Sequence, residues 1–252
     1  NTTGFLYTDM SLAALQPRGW AAFDEEYLYV CFQSSNPGGV KSAIQDRDGV
    51  GIFTEDAIEI FLQPGSDGTY HQFAANSLDT RFDSEKQIST WNAEWKSASG
   101  IEKDKWYVGA TWTIEVAIPF AAFGDAQAPA DGAVWRANFC RDWTAVDGPY
   151  RATSWAHVGS MFHNPAKFGE LLFHRGSPAI QVTGFGDLSN GQIALEGVAS
   201  APEGREVDLG WMVHPRGDPA TRSAEGSTQM QVGVQPGPFF LEGTVTAPGA
   251  GT

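Results

Sequence analysis

The chain has 252 residues, with 16 lysines and arginines against 30 aspartates and glutamates, and a formal net charge of −14. This charge argues against nucleic acid as a partner, because binding phosphates takes clustered Lys and Arg and the sequence holds no such cluster. No apolar run approaches the roughly 18 residues that a membrane-spanning helix needs, so no membrane span is expected.

Apolar, β-branched and aromatic residues recur in short runs, and no segment keeps a helical period for three turns. Clusters of Gly, Pro, Asn and Asp between the runs predict turns. The predicted strands are residues 19–23, 27–33, 57–63, 70–76, 101–107, 108–118, 134–141 and 169–174. Short strands with this spacing predict an all-β protein built as an antiparallel β-sandwich.

The composition changes near residue 176, after which the chain is richer in Gly and poor in aromatic residues. The predicted strands here are residues 179–185, 192–198, 207–213, 230–234 and 239–245. We therefore expect one β-sandwich domain over residues 1–176 and a smaller accessory domain over residues 177–252. The smaller domain is predicted to be immunoglobulin-like, with a strand count low enough to suggest truncation.

Glu59 lies in the middle of the strand predicted at residues 57–63. Alternation along a strand places Ile58, Ile60 and Leu62 on one face and Glu59 on the other. If the three apolar side chains pack in the core, Glu59 projects from the opposite face. It is then either solvated or an acceptor of hydrogen bonds from a polar ligand.

Phe162 lies in the loop that precedes the last strand of the first domain. A large ring at such a place either covers a neighbouring residue or stacks on a ligand. Position alone does not decide between these roles.

Six short segments occur in a characteristic order across roughly residues 5 to 175. They are 24–30 (DEEYLYV), 55–61 (EDAIEIF), 115–120 (EVAIPF), 135–139 (WRANF), 154–155 (SW) and 164–169 (NPAKFG). Together they resemble the family 9 carbohydrate-binding modules and their wider DOMON-like superfamily, which also includes haem-binding relatives. Each segment is weak evidence by itself, whereas the ordered set is fairly specific.

The resemblance implies a sugar clamp. In that family two aromatic side chains sandwich a sugar ring, and a carboxylate on the adjacent strand bonds its hydroxyls. The matching positions here are Phe53, Phe162 and Glu59. The family usually has tryptophan at both aromatic positions, so the chain departs from it twice, and a family arginine matches Ala74, which removes a charged donor.

Four further residues complete the predicted ligand-binding set. Gln72 and Asn76 share a strand face with Ala74, and their amides could replace the missing arginine. Asn138 matches a family asparagine on its strand. Arg141 lies near the end of the same strand, where it either contacts the ligand or forms a surface ion pair.

The resemblance predicts non-catalytic binding of an oligo- or polysaccharide. It also implies a monomeric module of a larger secreted bacterial protein that processes glycans, located extracellularly, at the cell surface or in the periplasm. The absence of an initiator Met is in keeping with a mature chain or a piece of a longer one. Family members often carry a structural calcium, and Asp46, Asp48, Asp79 and Asp83 are candidate ligands; no cofactor is expected to be required.

Three other functions stay open at this stage. A glycosidase needs two carboxylates that flank the scissile bond, and the sequence selects no such pair. A haem site would need axial ligands, and the candidates are Met10, Met161, His71 and His163. Of these, Met161 and His163 lie close together in the chain. The two Phe replacements and Ala74 favour a structural or adhesion module with a degenerate sugar site.

The state of the two cysteines is also open. Cys31 and Cys140 are too few for a disulfide framework, and their separation fits no zinc-ligand spacing. They either pair or remain as two thiols in the interior, where free cysteines are common.

Overall fold

The computed structural model describes residues 4–9, 11, 13–103, 109–124, 128–144, 150–159, 161–176, 178–184, 192–201, 204–213 and 224–244. The chain divides into a larger unit over Thr2–His174 and a smaller unit over Arg175–Thr252. In the described part of the chain, no helix is long and apolar enough to cross a bilayer.

The described residues of the larger unit form eleven strands and three short 3₁₀ helices. The strands are β1 (Leu6–Tyr7), β2 (Arg18–Phe23), β3 (Tyr27–Asn36), β4 (Ala57–Gln63), β5 (His71–Asn76), β6 (Arg81–Glu85), β7 (Lys96–Lys103), β8 (Ala110–Pro119), β9 (Ala133–Thr144), β10 (Tyr150–Ser154) and β11 (Gly169–Phe173). The 3₁₀ helices are Val50–Thr54, Phe120–Phe123 and Pro165–Lys167.

These strands form two antiparallel sheets. The seven-stranded sheet has the order β1-β10-β9-β4-β5-β6, with β11 paired to β9 as well, and the four-stranded sheet has the order β2-β3-β8-β7. Apolar side chains of both sheets pack together in one core cluster. The all-β, antiparallel sandwich predicted from the sequence is thus confirmed.

Alternation along β4 separates the core from the outer face of the seven-stranded sheet. Ile58, Ile60 and Leu62 are fully buried and belong to the core between the two sheets. Glu59 and Phe61 therefore point to the other side of the sheet, which we call the outer face. Both side chains are nevertheless buried.

Two carboxylates hold the loop that precedes β4. Asp56 Oδ2 accepts a hydrogen bond from the Lys41 backbone N–H at 2.6 Å, and Glu55 Oε1 accepts one from the Ala43 N–H at 2.6 Å. Both carboxylates are buried and therefore need hydrogen-bond donors. The two bonds fix residues 41–43 beside the turn into β4 and so support the neighbouring 3₁₀ helix Val50–Thr54.

In the smaller unit, the residues that the structure describes form five strands in two antiparallel sheets. The strands are β12 (Ala179–Gly184), β13 (Gln192–Ser200), β14 (Arg205–Val213), β15 (Ala224–Val232) and β16 (Gly237–Thr244). One sheet has the order β12-β13-β16, and the other pairs β14 with β15. A Cβ atom on Gly243 would lie 2.1 Å from Trp211 Cζ2, and one on Gly226 would lie 2.8 Å from the same ring. The two glycines therefore leave room for this indole within the unit.

Several strand boundaries differ from those predicted. The strand predicted at residues 101–107 begins at Lys96 as β7, and residues 104–108 lie outside the described part of the chain. Strands β1, β6 and β10 were missed, because each is short and shows little apolar alternation. Pairing with the neighbouring strand defines them, which single-strand patterns do not reveal.

The two cysteines are free thiols on different sheets. Cys31 is part of β3 and Cys140 part of β9, where it is fully buried. Burial raises the pKa of the Cys140 thiol well above its ordinary value, and the nearby Glu59 and Asp142 raise that pKa further. Cys140 is therefore a neutral packing residue at physiological pH.

Candidate functional site

A cavity of about 640 Å³ lies over the outer face of the seven-stranded sheet. Four residues of the predicted ligand set line it: Phe53, Glu59, Gln72 and Phe162. They come from the 3₁₀ helix Val50–Thr54, from β4, from β5 and from the loop after β10. The fold thus brings residues that are more than 100 positions apart into one concave site.

Phe53 forms one wall of the cavity and is fixed by a second ring. Its ring packs edge-on against Phe82 of β6, with ring centroids 4.9 Å apart and planes at 78°. Phe82 is buried on the outer face, together with Ile52 and Ala74. This aromatic contact holds the Phe53 side chain at the cavity wall.

Phe162 forms another part of the wall. Its ring packs edge-on against Phe61, with ring centroids 6.3 Å apart. Asn164 shapes the loop, because its backbone N–H donates to the Phe162 carbonyl at 2.8 Å and its Nδ2 donates to the Val158 carbonyl at 3.1 Å. Phe162 itself is only partly buried, so part of its surface is open to a ligand.

Glu59 and Gln72 form the polar floor of the cavity. Glu59 is 4% exposed, and Gln72 Nε2 donates a short hydrogen bond to its Oε2. Gln72 Oε1 in turn accepts a hydrogen bond from Ser84 Oγ at 3.0 Å. The amide of Gln72 is thus held at both ends, its oxygen by Ser84 and its nitrogen by Glu59.

Asp142 was not in the predicted set, yet it hydrogen-bonds Glu59. Burial raises the pKa of Glu59 well above its usual range, and the charge of Asp142 and its hydrogen bond add to this rise. Asp142 itself is fully buried and belongs to β9, on the face that also carries Cys140. Alternation from Cys140, which pairs directly with Glu59, is the signal that could have identified it.

Other residues that the sequence did not single out form the rim of the cavity. Tyr7, Asp9 and Arg151 line it, and the Arg151 guanidinium carbon lies 5.5 Å from the centre of the Tyr7 ring. Asp9 accepts a 2.6 Å hydrogen bond from the Ser11 hydroxyl. The rim thus adds donors and acceptors to the aromatic walls.

His163 lines the cavity beside Phe162. Its Nδ1 lies 3.0 Å from the hydroxyl of Tyr70, which is buried beneath it. Burial lowers the pKa of His163 below its ordinary value, so the imidazole is neutral at physiological pH. A neutral ring nitrogen can accept the hydrogen bond of the Tyr70 hydroxyl.

Two asparagines of the predicted set, Asn76 and Asn138, are not among the residues that line the cavity. Asn76 donates to the Ile44 carbonyl at 2.8 Å and so anchors the loop before β4. Asn138 is fully buried, and its Oδ1 accepts from the Ala156 N–H at 2.9 Å. Both side chains are fully buried and form hydrogen bonds with backbone groups of neighbouring loops, as buried polar groups require.

Arg141, expected either to contact the ligand or to form a surface ion pair, lies away from the cavity in a buried ion pair. It lies two residues from Phe139, a core residue of β9, and therefore points between the sheets and away from the cavity. Its Nη2 lies 2.6 Å from Asp56 Oδ1, and its guanidinium carbon lies 4.7 Å from the centre of the Trp112 ring. The guanidinium is part of the sandwich interior.

The predicted calcium ligands do not gather into a site. Among the described residues, no three His, Cys, Asp or Glu side chains are placed to hold a metal ion. Asp83 is fully buried and forms a 2.7 Å ion pair with Arg47, whose Nε lies 3.6 Å from Asp48. Arg47 thus forms ion pairs with both carboxylates. In the part of the chain that the structure describes, Asp46 and Asp79 belong to no group of three side chains that could hold a metal ion.

Among the described residues, the candidate axial ligands for a haem do not form a buried pair. Met161 and His163 both line the cavity, but Met161 is 64% exposed and His163 Nδ1 contacts Tyr70. His71 is not among the lining residues, and Met10 lies outside the described residues.

The family model described as "Carbohydrate family 9 binding domain-like" matches residues 7–175. The comparison with curated proteins gave no match. Among solved structures, the chain is similar to a candidate carbohydrate-binding protein from Bacteroides uniformis, with 20% identity, a TM-score of 0.53, and coverage of 64% of this chain and 79% of the other.

Two further similar structures are those of a family 9 carbohydrate-binding module from Caldicellulosiruptor kristjanssonii. The complex with glucose shows 16% identity and a TM-score of 0.50, covering 69% of this chain and 85% of the module. The complex with cellotriose shows 14% identity and a TM-score of 0.50, covering 68% and 82%. At this identity the likeness shows a shared fold. Because the family match spans more than half of the sequence, the chain belongs to the carbohydrate family 9 binding domain-like family.

Proposed function

We propose that the larger unit binds a carbohydrate in the cavity on the outer face. The observation that carries this proposal is the convergence of Phe53, Glu59, Gln72 and Phe162 on one cavity. Membership of the family supports it, as do the complexes of the structurally similar module with glucose and cellotriose. The cavity volume of about 640 Å³ also lies within the range of about 300–1,000 Å³ that is common for ligand sites.

The chemistry of the lining suits a sugar. Sugars present apolar C–H faces and a rim of hydroxyls, so they combine contact with aromatic rings and many hydrogen bonds. Phe53 and Phe162 offer the rings, and Glu59, Gln72 and the polar rim offer donors and acceptors. Phenylalanine has a smaller face than tryptophan, so we expect a modest affinity for a single module.

The proposed role is binding without catalysis. In glycosidases the two catalytic carboxyl groups stand about 5–9.5 Å apart with the scissile bond between them. Glu59 and Asp142 instead hydrogen-bond each other, and Asp142 is fully buried. No sugar bond fits between two carboxyl groups in this arrangement.

We also propose that the chain acts as one module of a larger secreted bacterial protein that processes glycans. The family resemblance supports this wider role. Weak binding by one module would be compensated there by the high effective concentration that tethering provides. The smaller unit would then act as an accessory domain.

Titration calorimetry with glucose, cellotriose and other mono- and oligosaccharides tests the proposal. We expect saturable binding, and loss of binding to borohydride-reduced sugars would identify recognition of a chain end. Phe53→Ala and Phe162→Ala should each weaken binding at least about tenfold, or about 1.4 kcal/mol.

Phe240→Ala is the matched control, because Phe240 is 52% exposed and belongs to the smaller unit. It should leave the affinity unchanged. A folded protein that gives no heat with any sugar would contradict the proposal and favour a structural or adhesion module. A Soret absorption band would favour haem binding instead.

A further inference from the structure

A hydrogen-bonded relay crosses four neighbouring strands of the seven-stranded sheet. Ser84 of β6 donates to Gln72 of β5, Gln72 donates to Glu59 of β4, and Glu59 is hydrogen-bonded to Asp142 of β9. The four side chains are 1%, 2%, 4% and 0% exposed, respectively. The relay therefore ends in two carboxyl groups that are in contact and out of bulk water.

The contact between the two carboxyl groups determines what the pair must hold. Ser84 donates to the amide oxygen of Gln72, and the amide nitrogen donates to Glu59 Oε2. An ionised carboxylate can only accept hydrogen bonds. A hydrogen bond between Glu59 and Asp142 therefore requires one proton on the pair.

The surroundings of Glu59 favour retention of that proton. Cys140, opposite Glu59 on β9, has a thiol pKa raised by burial and stays neutral. Besides Glu59, the titratable groups in the cavity wall are Tyr7, Asp9, Arg151 and His163. His163 is neutral because burial lowers its pKa, and the exposed Arg151 lies against the Tyr7 ring.

The hydrogen-bond partners of Glu59 itself are an amide and a second carboxyl group. Neither Gln72 nor Asp142 brings a positive charge to Glu59. Ala74, which pairs directly with Glu59 on β5, has no polar atom in its side chain. Ionisation of both carboxyl groups would leave two adjacent negative charges at a buried site, which is strongly unfavourable.

We propose that Glu59 and Asp142 act as a single acid–carboxylate pair, and that ligand binding in the cavity requires the proton that they share. This inference rests on the proposed function, because it concerns the same site. Glu59 is the group that faces the ligand. Asp142 does not line the cavity, and it acts as a positioning residue that holds Glu59 through the shared proton.

The direction of the pH dependence follows from this arrangement. The proton is present at low and neutral pH and is lost as the pH rises through the raised pKa of Glu59. Beyond that point the affinity for the sugar should fall by up to about tenfold for each pH unit, as for one linked proton. An ordinary carboxylate contact would behave differently, because it is complete above about pH 5 and then constant.

Calorimetric titration of the whole chain with cellotriose from about pH 5 to about pH 9 tests the inference. In the wild-type protein the affinity should fall towards the alkaline end. Glu59→Gln and Asp142→Asn each replace the shared proton with an amide N–H, which can donate to the remaining carboxylate. Both variants should lose the pH dependence.

Asp208→Asn is the matched control, because it makes the same charge change on an exposed residue of the smaller unit. It should keep the wild-type pH profile. A wild-type affinity that stays constant over this range would overturn the inference. So would a Glu59→Gln protein that still shows the wild-type fall.

The Glu59 carboxyl ¹³C resonance of the free protein separates this inference from the proposed function. It should titrate well above the ordinary glutamate pKa of about 4.3, whether or not any sugar binds. Titration at the ordinary value would overturn the shared proton, even if the protein binds sugar. A raised pKa of Glu59 in a protein that binds no sugar would instead contradict the proposed function, and with it the dependence of sugar binding on the shared proton.

Discussion

Arg141 Nη2 lies 2.6 Å from Asp56 Oδ1 in the interior of the sandwich, where the two side chains are 3% and 0% exposed. Asp56 also accepts hydrogen bonds from the Lys41 backbone and the Asn36 amide. This ion pair connects β9 with the loop before β4. The positive charge that a sugar could have used at the end of β9 is thus committed to the fold.

Removal of one partner of this pair should be costly. Arg141→Met leaves Asp56 as a buried charge without its cation, and we expect the free energy of unfolding to drop by about 3–5 kcal/mol. Urea denaturation measures this change. Asp131→Asn removes an exposed 2.7 Å pair with His174 and should cost at most about 1 kcal/mol. Equal losses in the two variants would contradict the structural role of Arg141.

Gly169 is the first residue of β11, and its lack of a side chain makes room for Trp155. A Cβ atom there would lie 2.6 Å from Trp155 Cζ3. Trp155 also packs against Phe139, with ring centroids 5.6 Å apart. Gly169→Ala should therefore destabilise the protein by about 1–3 kcal/mol, as overpacked sites do.

Thermal unfolding followed by tryptophan fluorescence checks the Gly169 prediction. Gly100→Ala is the control, since Gly100 is also a strand glycine but has open space around its Cβ position. We expect little change in the control. A Gly169→Ala protein as stable as the control would show that the indole has room to move.

His163 should make the protein less stable in acid. Burial lowers the pKa of its imidazole in the folded protein. Below the ordinary histidine pKa of about 6.5, the unfolded chain therefore binds a proton more readily than the folded chain does. Stability is then present above about pH 6.5 and is lost as the pH falls through the lower, folded pKa. The free energy of unfolding at several pH values should show this slope, and His163→Gln should reduce it.

The exposed His174 provides the control for His163. His174→Gln should retain the acid slope of the wild-type protein. If His163→Gln and the wild-type protein lose stability in parallel, other groups carry the effect.

Glu59 should produce the opposite slope at higher pH. Its folded pKa is raised, so above the ordinary value of about 4.3 the unfolded chain gives up a proton that the folded chain keeps. Stability is full below that pH and decreases as the pH rises towards the folded pKa. Glu59→Gln should flatten this part of the profile, measured by urea denaturation. An unchanged profile would argue against a protonated Glu59.

The sequence was enough to predict the β-sandwich and four of the residues that line the cavity. Alternation in residues 57–63 gives the orientation of Glu59 correctly, since Ile58 and Ile60 lie in the core as expected. The ordered motifs identified Phe53 and Phe162 by their resemblance to the family, and both line the cavity. Local patterns and family motifs were therefore enough to assign these three residues to the cavity.

The errors concern contacts between distant strands. The sequence does not give the register of β9 precisely enough to tell that Arg141 faces inward while its neighbour Asp142 faces outward, and a shift of one residue exchanges them. Nor does any local rule predict that Glu59 and Asp142 meet, since like charges are normally kept apart. Such a contact emerges only once strand pairing and burial are known.

The most direct test of the account is the change in backbone amide NMR signals on titration of the wild-type protein with cellotriose. The account predicts saturable shifts that are concentrated at Phe53, Glu59, Gln72 and Phe162, with little change in the outward residues of the four-stranded sheet, such as Tyr29 and Glu115. Shifts centred on that other sheet, or none at any cellotriose concentration, would contradict carbohydrate binding in this cavity.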